Sequence, residues 1–534
     1  MKHIRLLKRT LSVLIGSAML VGICAAGLST VSAAEPDAWH DDWLHVNENA
    51  EIVDRNGNPV WLTGCNWFGY NVGSQVFDGV WSQNMHEMLT QIADHGFNLL
   101  RVPMSTELLL QWKNGDPDPA TPKVNEWTNP ELTEEGVVGG KVKYSFDIWN
   151  QAVAWCRELG IKIMVDIHSA ETASAGHQVN LWYTDKFGTE DWFEALEWLA
   201  DYYKDDDTIL AIDLKNEPHG KADVPSLMAK WDDTTDPNNW KYAAECAAAH
   251  VMAKNPNLLV MVEGVEVYPK EGYDWTAPAI DWATNTEFYY GTWWGGNFRG
   301  ARENPIDLGE YQSQLVYSPH DYGPLVYQQK WFYDGFTKET LLEDCWYENW
   351  FYLLDEKVAP LLMGEWGGFI DQQHDPDGSN TKWMLALRDL MIENHIHHTF
   401  WCFNENSGDT GGLVYDNFGK WDEDKYALVE PALWQTDEGM FISLDHQTAL
   451  GANGISLNDY YGGVMPTDPT DPTDHTTKGD VNGDNCVNVV DAMLFRRYLL
   501  DGTTAIVVKN ADWNQDDAVT LTDLVSLNHF LLRR

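Results

Sequence analysis

ILAIDLKNEP, residues 209–218, begins as the apolar run of a strand buried on both faces and stops abruptly at Asn216, Glu217 and Pro218. A carboxylate loses solvation in an apolar interior, so it stands there paired, neutralised or in use. Seven other runs share this design: WLTGCNWF (61–68), GFNLLRVPMS (96–105), GIKIMVDIHS (160–169), LLVMVEGV (258–265), QLVYSPHDY (314–322), APLLMGEWGG (359–368) and HHTFWCFN (397–404). Between most of them lie stretches with apolar residues at helical spacing, such as SFDIWNQAVAWCRELG (145–160).

Near-continuous apolar strands alternating with helices predict a parallel sheet covered on both sides. A doubly wound open sheet has the same alternation but carries a Gly-rich phosphate loop after its first strand, and none is present. The expected fold is α/β, a (β/α)8 TIM barrel. Arg101, His168, Asn216 with Glu217, His320, Glu365 and Trp401 are expected at the C-terminal ends of their strands, which a barrel gathers on one face.

Glu217 ends the fourth strand and Glu365 the seventh, across the ring from each other. Hydrolysis of a glycosidic bond needs such a pair: one carboxyl group protonates the leaving oxygen, and the other attacks or stabilises the anomeric carbon. A separation of about 5–5.5 Å gives double displacement with retention. An ionised Glu365 is expected to raise the pKa of Glu217 by like-charge repulsion, which keeps Glu217 protonated as the acid. No metal is required for this chemistry. His397 and His398 lie at the start of the eighth strand, away from the active face, and are expected to be structural.

The composition agrees with a sugar polymer as substrate. The 534 residues allow one large domain and an accessory module, and 27 Trp and 22 Tyr supply flat rings that suit sugar faces. The formal net charge is −47, and there is no basic patch, which argues against nucleic acid and favours a neutral ligand. A basic start, MKHIRLLKRT, then an apolar stretch and small residues up to Ala34 predict a secretory signal over 1–34 and no membrane anchor once it is cleaved. Its removal takes away Lys2, Arg5, Lys8 and Arg9, which moves the charge from −47 to −51. The six remaining cysteines are scattered, without CxxC spacing, and are expected to be mostly buried thiols. NGDPDP and the acidic, Gly-rich sequence after it, within 112–140, are expected to form a surface loop bordering the cleft.

NEP (216–218), GFNLLRVPMS (96–105), DIHS (166–169), YSPHDYGP (317–324), GEWGG (364–368) and TFWCFN (399–404) resemble the ordered motifs of glycoside hydrolase family 5, and WWGGN (293–297) resembles a loop of its bacterial endoglucanases. The resemblance spans roughly residues 45–450 and implies Glu217 as acid/base and Glu365 as nucleophile. It further implies Arg101 and Tyr322 orienting the nucleophile, Asn216 on the 2-hydroxyl of the reacting sugar, His168 and His320 lining that subsite, and Trp401 as its stacking floor. Trp67, Trp182, Trp293, Trp294 and Trp366 are further platform candidates. Xyloglucan, mannan and mixed-linkage glucan share the catalytic set with cellulose as substrates, and a glycan-binding protein without catalysis is the reading from another class.

VMPTDPTDPTDHTTK repeats Thr-Asp-Pro with almost nothing apolar to bury, so it reads as a linker. The expected organisation is a signal at 1–34, a catalytic domain at 35–463, a linker at 464–477 and a small α-helical module at 478–534. That module holds DVNGDNCVNVVD (480–491) and DWNQDDAVTLTD (512–523), each with oxygen-bearing side chains at loop positions 1, 3, 5, 9 and 12, the layout of a calcium loop. The expected ligands are Asp480, Asn482, Asp484, Asn488 and Asp491, then Asp512, Asn514, Asp516, Thr520 and Asp523. An Asp stands in place of the usual final Glu, and Asn485 and Asp517 in place of the usual Gly. Two such loops, each followed by a helix, resemble a dockerin, which implies two Ca2+ ions and a cohesin partner on a scaffold. Val489 and Val490 in the first repeat and Leu521 and Thr522 in the second occupy the positions through which that family contacts cohesin; because they differ, the repeats are not expected to be interchangeable.

Overall fold

The computed structural model describes residues 41–462 apart from 117–121, 222 and 279–286, together with parts of 478–527. The expected signal and linker lie outside the described residues. The chain divides into two compact units between Leu457 and Asn458.

In the larger unit eight parallel strands form a ring: β1 (Thr63–Asn66), β2 (Leu99–Ser105), β3 (Lys162–Ser169), β4 (Ile209–Asp213), β5 (Leu259–Val262), β6 (Leu315–Tyr317), β7 (Leu362–Met363) and β8 (His397–Phe400). They pair in chain order from β1 to β6, β8 joins β7 to β1, and the bridges Tyr317–Leu361 and His320–Glu365 close the gap between β6 and β7. This is the expected barrel.

The helices sit outside it for ordinary reasons of pattern. α1 (Met85–Asp94) buries Met85, Met88, Leu89, Ile92 and Ala93, one helical face, and Asn84 caps it by accepting from the Glu87 amide. α2 (Thr106–Asn114) starts directly from β2, because Ser105 ends the strand and its Oγ accepts from the Leu108 amide at 3.0 Å. α3 (Ser145–Glu158), α4 (Thr189–Tyr202) and α5 (Trp240–Met252) follow. Between β5 and β6 the alternation lapses: the described residues form the antiparallel pair Val267–Pro269 with Tyr289–Gly291 and 3-10 turns at Arg299–Arg302 and Gly309–Gln314. WWGGN lies in this connection.

The strand period of two sorts the interior into layers. Leu99, Met164, Ala211, Leu259 and Met261 belong to an apolar cluster that continues onto Leu44 and Ile52 of the N-terminal hairpin. Two residues further along the same strands come Arg101, Asp166, Asp213 and Glu263, all fully buried. The barrel is thus greasy below and charged above.

In the smaller unit Val481, Ala492, Phe495, Ala511, Leu524 and Leu527 form their own small core, with a helix at Val489–Asp501. Among the described residues no helix is long and apolar enough to cross a membrane.

Candidate active site

A cleft of about 670 Å³ opens over the C-terminal ends of the strands. Glu217 and Glu365 both line it, with His168, Asn216, Tyr322, Trp293, Trp294 and Trp401. Carboxylate oxygens of Glu217 and Glu365 and a ring nitrogen of His320 all lie within 4.8 Å of one another.

Each carboxylate has its own set of partners. Glu365 accepts from Arg101 Nη1 at 2.8 Å and from the Tyr322 hydroxyl at 2.6 Å. Glu217 Oε1 is 3.0 Å from His320 Nδ1, and its backbone, at φ +49°, is held by an amide hydrogen bond of 2.8 Å to Glu263 Oε2. A left-handed backbone at a bulky residue costs of order 1–3 kcal/mol and persists where the surroundings over-determine it.

Their surroundings shift the two carboxyl groups in opposite directions. Burial pushes Glu217 above the ordinary carboxylate range; the His320 hydrogen bond opposes this and the charge of Glu365 reinforces it. Burial also pushes Glu365 upward, but the charges of His320 and Arg101 and the Tyr322 hydrogen bond outweigh it and hold Glu365 below that range. The largest cause at Glu217 is therefore desolvation, where the sequence pointed to Glu365 alone. His320 is likewise held well above the usual histidine range, since the surrounding carboxylates overcome its burial.

Two expectations are corrected here. Arg101 is not at a strand end: β2 runs on to Ser105, and the guanidinium lies inside the barrel, bonded to Asp213 Oδ2 at 2.9 Å and to Asn66 and Asn216 at 3.0 Å. His320 does not line the sugar site either, because its ring turns inward beneath the carboxylates, with Nε2 3.2 Å from Glu263 Oε1. Gly364 makes room for it, since a Cβ there would lie 2.7 Å from His320 Nε2.

His168 does reach the cleft. Its Nδ1 is 2.6 Å from Asp166 Oδ2, and its ring lies parallel to Trp401 with centroids 5.8 Å apart. Trp401 is half-buried and also stacks on Phe68. Of the other rings, Trp293 and Trp294 line the cleft, whereas Trp67, Trp182 and Trp366 are core residues. His397 and His398 are buried at the start of β8; His397 Nδ1 accepts from the Leu62 amide, and His398 bridges Trp366 to the Ala432 carbonyl.

Residues 53–407 match the family model described as Cellulase (glycosyl hydrolase family 5), and residues 478–532 match the Dockerin type I domain. The chain belongs to glycoside hydrolase family 5. It is 48% identical to Endoglucanase G of Acetivibrio thermocellus over 92% of this chain and 89% of that one, and 43% identical to Endoglucanase B of the same organism over 88% of each. An endocellulase from Pyrococcus horikoshii, solved as a complex with cellotetraose, superposes with a TM-score of 0.62 at 29% identity, over 73% of this chain and 98% of that one.

Three buried carboxylates of this family 5 site were not singled out from the sequence. Asp166, Asp213 and Glu263 surround Arg101 at 2.9–3.3 Å. The signal for them was the strand alternation itself, which puts each in step with Arg101 on the inward face. Two trios among the described residues, Glu217–His320–Glu365 and Asp213–Glu263–His320, bring their donors close enough for a cation. In both, His320 and the neighbouring Arg101 already supply positive charge.

In the dockerin module only Thr520 and Asp523, of the ten expected calcium ligands, are described with their side chains. Asp523 is buried; one carboxylate oxygen accepts from the Trp513 amide at 3.0 Å, and the other from the Thr520 amide and hydroxyl at 3.0 and 2.9 Å. The last loop position is thus folded back over the loop. Asp491 is described by its backbone, within the helix Val489–Asp501; Asp480, Asn482, Asp484, Asn488, Asp512, Asn514 and Asp516 lie outside the described residues. Of the described cysteines, Cys65, Cys156, Cys345 and Cys402 are buried free thiols and Cys246 is a partly buried one.

Proposed function

We propose that the chain is an extracellular, retaining endo-β-1,4-glucanase in which Glu365 is the nucleophile and Glu217 the acid/base. One observation carries this reading: two carboxylates within 4.8 Å over one cleft, with pKa values pushed apart. That spacing leaves no room for a water between carboxylate and sugar, as an inverting enzyme needs, and suits direct attack.

In the first step a Glu365 oxygen bonds to the anomeric carbon while the bond to the leaving oxygen breaks and Glu217 gives that oxygen its proton. Esterification removes the charge of Glu365. Glu217 is then free to take a proton from water, whose oxygen displaces Glu365 with the configuration restored. Arg101 and Tyr322 keep the nucleophile ionised and aimed through charge-assisted bonds. Asn216 meets the 2-hydroxyl, where a hydrogen bond strengthens as the oxocarbenium character grows. Trp401 carries the sugar face, and the parallel His168 ring edges the same subsite.

Relatives named endoglucanase and endocellulase favour a β-1,4-glucan among the substrates this catalytic set serves. Glu217→Ala is expected to lower turnover of the polymer by about 10²–10⁴-fold while sparing aryl glycosides with good leaving groups, whereas Glu365→Ala loses both. Equal losses on both substrate types in Glu217→Ala reject the assignment. Reducing-end release on soluble cellulose, xyloglucan and mannan, side by side, decides the substrate.

The dockerin module is read as binding one Ca2+ in each twelve-residue loop and tethering the enzyme to a cohesin outside the cell. The donors are all oxygen, as a hard cation requires, and the folded-back Asp523 fits the last ligand position. Calcium supplies the charge that lets the acidic loops close. Chelator is expected to unfold the module and abolish cohesin binding while hydrolysis continues; binding that survives chelator refutes this.

A further inference from the structure

The insert between α2 and α3 carries an unusually bare ring. Trp127 is 69% exposed, and Val137 and Val138 on the neighbouring turn are 52% and 54% exposed. The ring is nonetheless seated: a Cβ on Gly139, which has φ +73°, would stand 3.4 Å from its Cζ2, so the bare backbone at Gly139 backs part of the indole. The turn beneath is stiff. Thr133 and Val142 pair as an antiparallel bridge, Thr133 Oγ1 accepts from the Val137 amide at 3.0 Å, and the Gly139 amide reaches the Glu126 carbonyl at 3.2 Å.

The insert is fixed to the rim of the cleft. Buried Asn129 donates to the carbonyls of Val80 and Gln83 at 3.0 and 2.9 Å and accepts from the Met85 amide at 2.8 Å, and the Asn125 amide also bonds to the Val80 carbonyl. The loop so gripped, between β1 and α1, is the one that sends Phe68, Asn71, Val72 and Asp78 into the cleft wall. The insert that carries Trp127 is therefore tied to a loop that also supplies the cleft wall.

We propose that Trp127 is an outer binding platform for the neutral β-glucan chain that enters the cleft. A flat ring on a preorganised turn offers stacking area at little entropic cost. Glu134 on this turn is paired with Lys141 Nζ at 2.7 Å, so the local charge is near balance, and the chain's net charge of −47 disfavours an anionic polymer. Continuity with the cleft through one shared loop favours the substrate itself as occupant. This inference rests on the glucanase reading above.

The test uses the full chain and compares the rate on insoluble cellulose with the rate on cellotetraose. In Trp127→Ala the ratio of the two is expected to fall about three- to tenfold, with a matching loss of retention on cellulose powder, and Trp127→Tyr to restore most of it. A ratio equal to that of the wild type, including one in which both rates fall together, overturns the platform. Loss of cohesin binding with an unchanged ratio assigns the ring to the scaffold instead and also overturns it. A wild-type enzyme inactive on both substrates fails the glucanase reading, which is a separate outcome.

Discussion

The two ends of the barrel hold buried charge clusters made of the same parts. At the top, Arg101 meets Asp166, Asp213, Glu263 and Glu365 at 2.8–3.3 Å. At the bottom, Lys162, the first residue of β3, meets Asp42, Asp207 and Asp445 at 2.9–3.3 Å, and His446 lies between Asp42 and Asp54. Arg101, Asp166, Asp213 and Glu263 come from or just past the successive strands β2 to β5, and Arg101 links that cluster to Glu365, which lines the open cleft. The bottom members come from loops and ends as far apart as Asp42 and His446, and none of them lines the cleft that holds Glu217 and Glu365. Similar ion pairs thus surround the proposed nucleophile at one end and fasten distant segments at the other, in keeping with the division of labour between the two faces of this fold.

Arg101→Met puts the greatest strain on that comparison. It leaves buried carboxylates without their cation, which costs about 3–5 kcal/mol where a pair is broken on one side. It also lets the pKa of Glu365 rise, so kcat on soluble glucan is expected to fall at least about 100-fold, on the scale of a lost transition-state electrostatic contact. Lys162→Met is the matching change below. A loss of about 3–5 kcal/mol in urea unfolding is expected from it as well, with kcat per folded molecule at 25 °C unchanged. If Lys162→Met depresses kcat as Arg101→Met does, the two clusters are not functionally separate.

The acid and alkaline limbs of the activity profile sharpen the top half. As the proposed nucleophile Glu365 acts ionised, and its lowered pKa is expected to place the acid limb below the ordinary Glu value of 4.5. As the proposed acid Glu217 acts protonated in the first step, and its raised pKa is expected to place the alkaline limb above that value. Initial rates of kcat/KM across pH measure both in the free enzyme. With Glu217→Gln assayed on an activated aryl glycoside, the alkaline limb is expected to vanish; a limb that stays belongs to another group.

What the sequence made readable follows from how each group reports itself. Glu217 and Glu365 interrupt apolar runs at the same relative place, so the barrel and the meeting of these two carboxylates over its cleft were legible together. Asn216 shares that place beside Glu217 and Tyr322 has no such signature, and only the resemblance to family 5 motifs gave either of them a role. Asp166, Asp213 and Glu263 were within reach, because Leu99–Arg101, Met164–Asp166, Ala211–Asp213 and Met261–Glu263 repeat one inward step of two residues. The bottom cluster was out of reach. Asp42, Asp54, Asp445 and His446 lie in irregular segments where no period sets a direction, and their pairing exists only in three dimensions. The inward turn of His320 was equally hidden, since the space that permits it is made by Gly364, on another strand's end.

The smallest effect tests the bottom cluster through pH. His446, against Asp42 and Asp54, has its pKa raised to about 9 despite its burial, and Asp42 is held below the ordinary range by Lys162 and His446 against its own burial. A histidine raised from 6.5 in the unfolded chain stabilises fully below pH 6.5, and that contribution is lost as pH climbs toward 9. Asp42 has the opposite sign: its contribution is present above its unfolded value of 3.8 and is lost as pH falls through the lowered folded value. The fastening is therefore strongest between about pH 4 and 6.5. His446→Gln keeps a side chain of similar reach but cannot titrate, so the variant should lose less stability than the wild type between pH 6.5 and 9. With each pKa unit at about 1.4 kcal/mol and part of it screened, the difference is roughly 1–2 kcal/mol. Urea unfolding at pH 6 and pH 9 reads it, and the alkaline limb of catalysis serves as the control. A variant whose stability falls by the wild-type amount would show that another group titrates in that window, and one that also shifts the catalytic limb would show that the two ends of the barrel are electrostatically joined.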